Sequence, residues 1–402
     1  MLFHGGMKLF HASRLLIVGW LVLSMTTIAA EKGNRAAAGL KSVQRPLLVY
    51  VGTYTGARSK GIYAFRMEAT TGALSPLGLA AEAANPTFLA VHPTQKFLYA
   101  ANEVGEFEGK KSGAVSAFAI DPATGKLALL NRVSSGGAGP CHLIVDAAGK
   151  NVLVANYGGG SVAVLPLEAD GSLREASAFV QHRGSSVNPQ RQEGPHAHGV
   201  TLDASNRFAF VTDLGLDKIM TYKFNAASGA LEAHDVPWTQ VRSGAGPRHF
   251  VFHSQGRFAS VINELDSSII SFAYDSARGV LKEIQSVPTL SSGFKGESWT
   301  AEVEVHPSGR FLYGSNRGED SIVVYSVDPA SGKLAFVERQ PTRGKTPRNF
   351  GIDPTGSYLL AANQGSDTVV MFRINADTGR LTPTGGVIEV GAPVCVKFVE
   401  GR

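Results

Sequence analysis

Short apolar runs with a period of two recur along the chain, among them FLYAAN from Phe97 and IVVYSV from Ile322. Each is bounded by Gly, Pro, Asn or Asp, which predicts β-strands and excludes helical repeats. The runs fall into sets. A strand that follows Pro or Gly-Pro leads through a turn carrying Gly-Arg or an equivalent into a strand ending in Asn or Asp; a third strand, a hairpin and a fourth strand complete the unit. Copies open at Asn85 (NPTFLAVHPTQKFLYAANE), Gly139 (GPCHLIVDAAGKNVLVANY), Gly194 (GPHAHGVTLDASNRFAFVTDL), Gly246 (GPRHFVFHSQGRFASVINE), Trp299 (WTAEVEVHPSGRFLYGSNR) and Thr346 (TPRNFGIDPTGSYLLAANQ). The hairpin recurs as DPATGKL at Asp121, NAASGAL at Asn225, DPASGKL at Asp328 and NADTGRL at Asn375. Asp or Asn opens each of these turns, and Gly supplies a positive φ.

Four alternating strands at a period of roughly 46 to 55 residues are the mark of propeller blades. The ends of the chain fix the number. Near the N-terminus LLVYVGTYTG, GIYAFRMEATTGAL and LSPLGLAAE read as second, third and fourth strands, whereas APVCVKFV at the C-terminus reads as a lone first strand. Together they make one blade. The predicted fold is therefore all-β, a seven-bladed β-propeller of four-stranded blades whose ring is closed by the C-terminal strand completing the N-terminal blade.

Ahead of the repeat, Lys8 and Arg14 precede an apolar run from Leu15 to Ala30 and a polar EKGNR. This is the layout of a secretory signal peptide, and the run is short for a membrane span. The predicted organisation is a signal peptide over 1–30, a linker over 31–45 and the propeller over 46–402, with a periplasmic or secreted location. No clean small-x-small pair precedes Glu31, which leaves an uncleaved anchor as the alternative. Removing 1–30 takes away two of the 38 basic residues and none of the 33 acidic ones, leaving about +3. Such a charge gives no argument for nucleic acid. Cys141 and Cys395 fall on non-neighbouring units and are expected to be free thiols outside the chemistry; neither a CxxC nor a Cys/His zinc pattern is present. The expectation is a monomer without cofactor or metal and, after signal cleavage, without stable membrane association.

Repeat register also says where side chains point. In a blade the start of the first strand and the end of the second lie on one face near the axis. First-strand starts are Thr87, Cys141, His198, Arg248, Ala301 and Arg348, followed by Phe88, His142, Gly199, His249, Glu302 and Asn349. Second-strand ends are Glu103, Tyr157, Leu214, Glu264, Arg317 and Gln364, each preceded by Asn or Asp. The near-uniform Asn/Asp column suggests backbone bonding in a turn. The neighbouring columns vary from blade to blade and mix acids, arginines and histidines. Arg248 and Glu264 share a blade, with Arg317 on the next and His198 on the preceding one. Two readings stand: an acid/base site in which arginines hold an anion or oxyanion, or an ion network that neutralises itself. In PHAH, His196 and His198 face the same side of a strand, but spacing offers no third metal ligand. His142 and His249, one step further along, are placed beneath the site. His92, His253 and His306 fall at the far turn and read as structural.

GAGPRHFVFH…VINELDSS, GPHAHGV, SNRGEDSI and TPRNFGIDPTG resemble the lactonase family of seven-bladed propellers, and the likeness runs from LLVYVGTYTG to VCVKFV. The resemblance implies a hydrolase that opens a sugar-acid lactone, phosphorylated or, for an exported chain, an unphosphorylated aldonolactone. It implies a catalytic set of Glu264, Arg248, Arg317 and a histidine of PHAH, which the register assigns to His198. His196, His249, Arg348, Glu103, Tyr157 and His142 are then expected around the substrate. Glu264, or His198 paired with it, would activate water, and Arg348 would meet a phosphate or carboxylate. A lactonising cycloisomerase of the same family and a non-catalytic binding propeller are the alternatives.

Overall fold

The computed structural model describes residues 46–400. The predicted signal peptide and linker lie outside the described residues. Among the described residues, twenty-eight strands, numbered β1 to β28 in chain order, form seven four-stranded antiparallel sheets. Six sheets use consecutive strands; the seventh joins β28 (Pro393–Glu400) to β1 (Leu47–Thr53), β2 (Gly61–Met67) and β3 (Leu74–Glu82), in that order. The C-terminal strand thus completes the N-terminal blade, as the ends of the sequence predict.

The innermost strands are β28, β4 (Pro86–Val91), β8 (Pro140–Val145), β12 (Ala197–Leu202), β16 (Pro247–Phe252), β20 (Trp299–Val305) and β24 (Pro347–Ile352). Each packs against the next, and β24 and β4 both pack on β28, so the ring closes around a central channel. Beside them run β1, β5 (Phe97–Asn102), β9 (Asn151–Asn156), β13 (Phe208–Asp213), β17 (Phe258–Asn263), β21 (Phe311–Arg317) and β25 (Tyr358–Asn363).

The period-two pattern has a different meaning here than a half-buried sheet would give it. Every residue of β1 is buried, because both faces of a blade are covered by neighbours. Leu48 and Tyr50 pack toward Leu89 and Tyr99 of the following blade, while Leu47, Val49 and Val51 pack toward Tyr358, Leu360 and Met371 of the preceding one. Alternation therefore sorts side chains between two interfaces rather than between core and water. Each fully buried aliphatic side chain contributes on the order of 1.5–3 kcal/mol. The hairpins behave as predicted. Asp121, Asn225, Asp328 and Asn375 each accept the backbone N–H two residues on at 2.9–3.0 Å, and Gly125, Gly229, Gly332 and Gly379 have φ of 68–72°.

Candidate active site

At the mouth of the channel each inner strand carries a β-bulge where it pairs with its neighbour. The pairing skips Thr87, Cys141, His198, Arg248 and Arg348 in β4, β8, β12, β16 and β24, Ala301 with Glu302 in β20, and Val394 in β28. In five of the seven strands the residue before the bulge is Pro, which has no N–H to donate to the ladder. A bulged residue leaves the alternation of its strand and can be re-aimed. The axial column counted from the sequence coincides with this column of bulges.

A cavity of about 280 Å³ opens here, lined by Glu103, Cys141, Tyr157, Arg191, His198, Glu264, Trp299, Arg317 and Arg348. Glu264 is its electrostatic centre. Arg248 Nε and Arg317 Nη2 donate to its Oε2 at 3.0 and 2.8 Å, and Arg191 Nη2 donates to its Oε1 at 2.6 Å. Burial by itself would raise the Glu264 carboxyl, but the three guanidiniums outweigh it and hold the group well below the ordinary glutamate range. Glu264 is therefore a carboxylate with both oxygens engaged, and no hydrogen bond joins it to His198 among the described residues. Arg317 also donates to Thr300 O at 2.7 Å, and burial pulls its pKa down to about 10, leaving it protonated at neutral pH.

Arg348 differs from the other three. Its Nη2 donates to the Tyr54 hydroxyl at 3.2 Å, and no carboxylate lies within ion-pair distance among the described residues. The Tyr54 hydroxyl in turn donates to Glu103 Oε1 at 2.8 Å, and Thr87 Oγ1 donates to Oε2 at 2.6 Å, so Glu103 is engaged by hydroxyls.

His198 is buried, with Nδ1 3.6 Å from Cys141 Sγ and its ring edge-on to Tyr157 at 5.3 Å between centroids. Its Nε2 has no protein partner among the described residues. Burial, then the charges of Arg248, His249 and Arg348, push its pKa well below the usual imidazole value, so it is neutral at pH 7. Burial likewise pushes the Cys141 thiol up and keeps its proton on. His196 sits at the rim, stacked on Tyr157 at 4.5 Å, with Nδ1 3.0 Å from Tyr157 O and Nε2 3.3 Å from Glu193. The two histidines of PHAH thus occupy different places, one in the cavity and one on its edge. His142 and His249 lie just beneath, with ring centroids 4.8 Å apart. Among the described residues no cluster of three His, Cys, Asp or Glu could hold a metal.

The Asn/Asp column does structural work. Asn102, Asn156, Asn316 and Asn363 donate to the carbonyls of Ala84, Ser135, Thr289 and Thr342. Asp213, the acidic member, accepts the His196 and Leu216 backbone N–H groups and pairs with His182 at 2.6 Å. At the far turn His92 and His306 reach the carbonyls of Gly149 and Gly356.

Arg191, Trp299 and Tyr54 are cavity or wall residues outside the axial columns counted from the repeat. Arg191 rides on residues 182–196 and Trp299 follows residues 289–298, the two longest connections into an inner strand; the other five have three to six residues. That length was the available signal, since long connections over a rigid scaffold tend to carry function. Leu214 leaves an apolar step in the wall. It is fully buried, its carbonyl accepts Gln192 Nε2 at 2.9 Å, and the loop so tethered carries Arg191 to Glu264.

Comparison with known proteins completes the picture. The family model described as lactonase, 7-bladed beta-propeller, matches residues 48–398. A 6-phosphogluconolactonase of Bacillus subtilis (strain 168) is 39% identical over 351 residues, covering 87% of this chain and 98% of the relative. A 6-phosphogluconolactonase of Formosa agariphila is 35% identical over 310 residues, 76% of this chain and 86% of the relative. Among solved structures, the periplasmic gluconolactonase of Pseudomonas aeruginosa superposes with a TM-score of 0.83 at 34% identity, covering 89% of this chain and 100% of that one.

Proposed function

The chain belongs to the seven-bladed β-propeller lactonase family, in which two of its relatives bear the name 6-phosphogluconolactonase, and from that premise we propose that it opens the ring of a sugar-acid lactone outside the cytoplasm. The observation that carries the reading is a neutral, buried imidazole whose Nε2 has no partner among the described residues, set among guanidinium N–H groups that no described carboxylate uses. The polar lining and small volume of the cavity suit a hydroxylated ring. The names of the relatives, 6-phosphogluconolactonase and periplasmic gluconolactonase, support a sugar-acid substrate. The apolar N-terminal run supports export.

In this mechanism His198 Nε2 takes a proton from water as the water oxygen bonds to the lactone carbonyl carbon. Arg248, whose Nη2 has no partner among the described residues, and Arg317 stabilise the oxyanion that forms. The ring C–O bond then breaks, and the imidazolium returns its proton to the departing alkoxide, giving the hydroxy acid. Arg348 holds an acidic substituent of the substrate. Glu264, with both oxygens engaged by arginines, is a poor base; it fixes three guanidiniums around the reacting centre.

The test follows proton release by residues 31–402 on glucono-1,5-lactone and its 6-phosphate, above the spontaneous rate. His198→Gln is expected to lower kcat by roughly 10²–10⁴, and Arg248→Ala by roughly 10²–10³. Arg348→Ala is expected to raise KM more than it lowers kcat. A wild-type rate equal to the spontaneous one on both lactones would overturn the reading.

A further inference from the structure

Just below the cavity, a chain of hydrogen bonds crosses the inner strands of four blades, and its polarity is fixed from one end. It starts at β28, where the backbone N–H of Val396, which can only donate, meets Asn349 Oδ1 at 2.9 Å. With Oδ1 engaged, Asn349 turns its amide nitrogen toward Glu302, and Nδ2 donates to Glu302 Oε2. Glu302 Oε1 accepts from His249 Nδ1 at 2.8 Å and from the Val303 N–H at 3.0 Å. A neutral His249 protonated at Nδ1 carries its lone pair on Nε2. That atom lies 3.2 Å from Arg248 Nη1, which also donates to Ala301 O at 2.7 Å. Arg248 Nε goes to Glu264, so every nitrogen of Arg248 except Nη2 is assigned. Asn349, Glu302, His249 and Arg248 are at most 5% exposed, and water has little part in the chain.

We propose that Asn349, Glu302 and His249 are positioning residues that lock His249 as an acceptor toward Arg248 and thereby decide which nitrogen of Arg248 is left for substrate. The proposal rests on the reading above that Arg248 faces the substrate. The opposite tautomer of His249 would set an N–H against an N–H and turn Arg248 away.

Because polarity is what the proposal asserts, an isosteric swap tests it. In Glu302→Gln the new amide nitrogen opposes either Asn349 Nδ2 or the His249 Nδ1 proton, both donors. In the double variant Glu302→Gln, Asn349→Asp the order is restored: Val396 N–H to Asp, Gln amide to Asp, His249 Nδ1–H to the Gln oxygen. The single variant is expected to lose about 10–100-fold in kcat with KM changed less than about threefold. The double variant is expected to recover most of that loss, at a melting temperature close to wild type. Nitrogen-15 NMR of the His249 ring should show the proton on Nδ1 in wild type and in the double variant. A proton on Nε2 in wild type, or a double variant no faster than the single one with the same tautomer, would overturn the proposal. A wild type that hydrolyses neither lactone would instead overturn the assigned activity, while the NMR result would still decide the tautomer.

Discussion

Glu264 carries one negative charge against Arg191, Arg248 and Arg317, and the last two are 3% and 9% exposed. Removing that charge strands buried cations. Glu264→Gln is expected to cost about 3–5 kcal/mol of stability and at least two orders of magnitude in rate, read by denaturant unfolding and proton release. A binding propeller would lose the stability but have no rate to lose. The buried histidines in and beneath the site set a second expectation. Burial lowers the pKa values of His142, His198 and His249 below 6.5, so the unfolded chain binds protons there that the folded chain refuses. Their contribution is full above pH 6.5 and is lost as pH falls below it, at up to about 1.4 kcal/mol per histidine per pH unit. Unfolding at pH 7 and pH 5.5 should show this loss, and His142→Gln should lessen it. The rate, in contrast, should stay flat down through pH 6.5, because His198 remains a free base there. The axial residues were legible because a repeat fixes register. Their partners were not: that Glu264 would bind three arginines rather than His198 depends on side-chain reach, which spacing does not encode.

Among the elements, the connection over 182–196 shows what repeat counting leaves out. It is the longest connection into an inner strand among the described residues, and it supplies Arg191, which at 32% side-chain exposure is the most accessible of the three arginines on Glu264. Three anchors hold it. Gln192, fully buried, donates to Leu214 O and accepts the Asn188 N–H; Ser186 Oγ donates to Asp217; and Asn188 Oδ1 accepts the Arg191 N–H. Gln192→Ala is expected to free the loop, raising KM several-fold while costing only about 1–3 kcal/mol. Steady-state kinetics and a melting curve on the same preparation check this, and an unchanged KM would show that Arg191 holds its place without the tether. The strands were legible for a clear reason, since period two and the bounding turn residues are local properties. The bulges were not, although Pro ahead of the axial residue in five inner strands was a sign of them. A missing N–H constrains the ladder only once the partner strand is known.

For the molecule as a whole, seven blades and the shared blade could be counted from the sequence because the two ends supply complementary strands. What counting could not show is that the closing strand also hydrogen-bonds into the buried polar chain beneath the cavity, through Val396 and Asn349. Deleting residues 392–402 removes one wall of the channel and exposes both faces of the gap between β1 and its neighbours. The truncated chain is expected to lose all rate above background and the cooperativity of its unfolding, measured by proton release and calorimetry. Ring closure by the last strand also gives the protein a schedule. A ribosome that has made everything up to residue 392 has made every side chain of the cavity, yet the ring still lacks its final inner strand. Competence is therefore expected only once residues 393–400 have been made, and a chain cut short before them is expected to be silent rather than partly active.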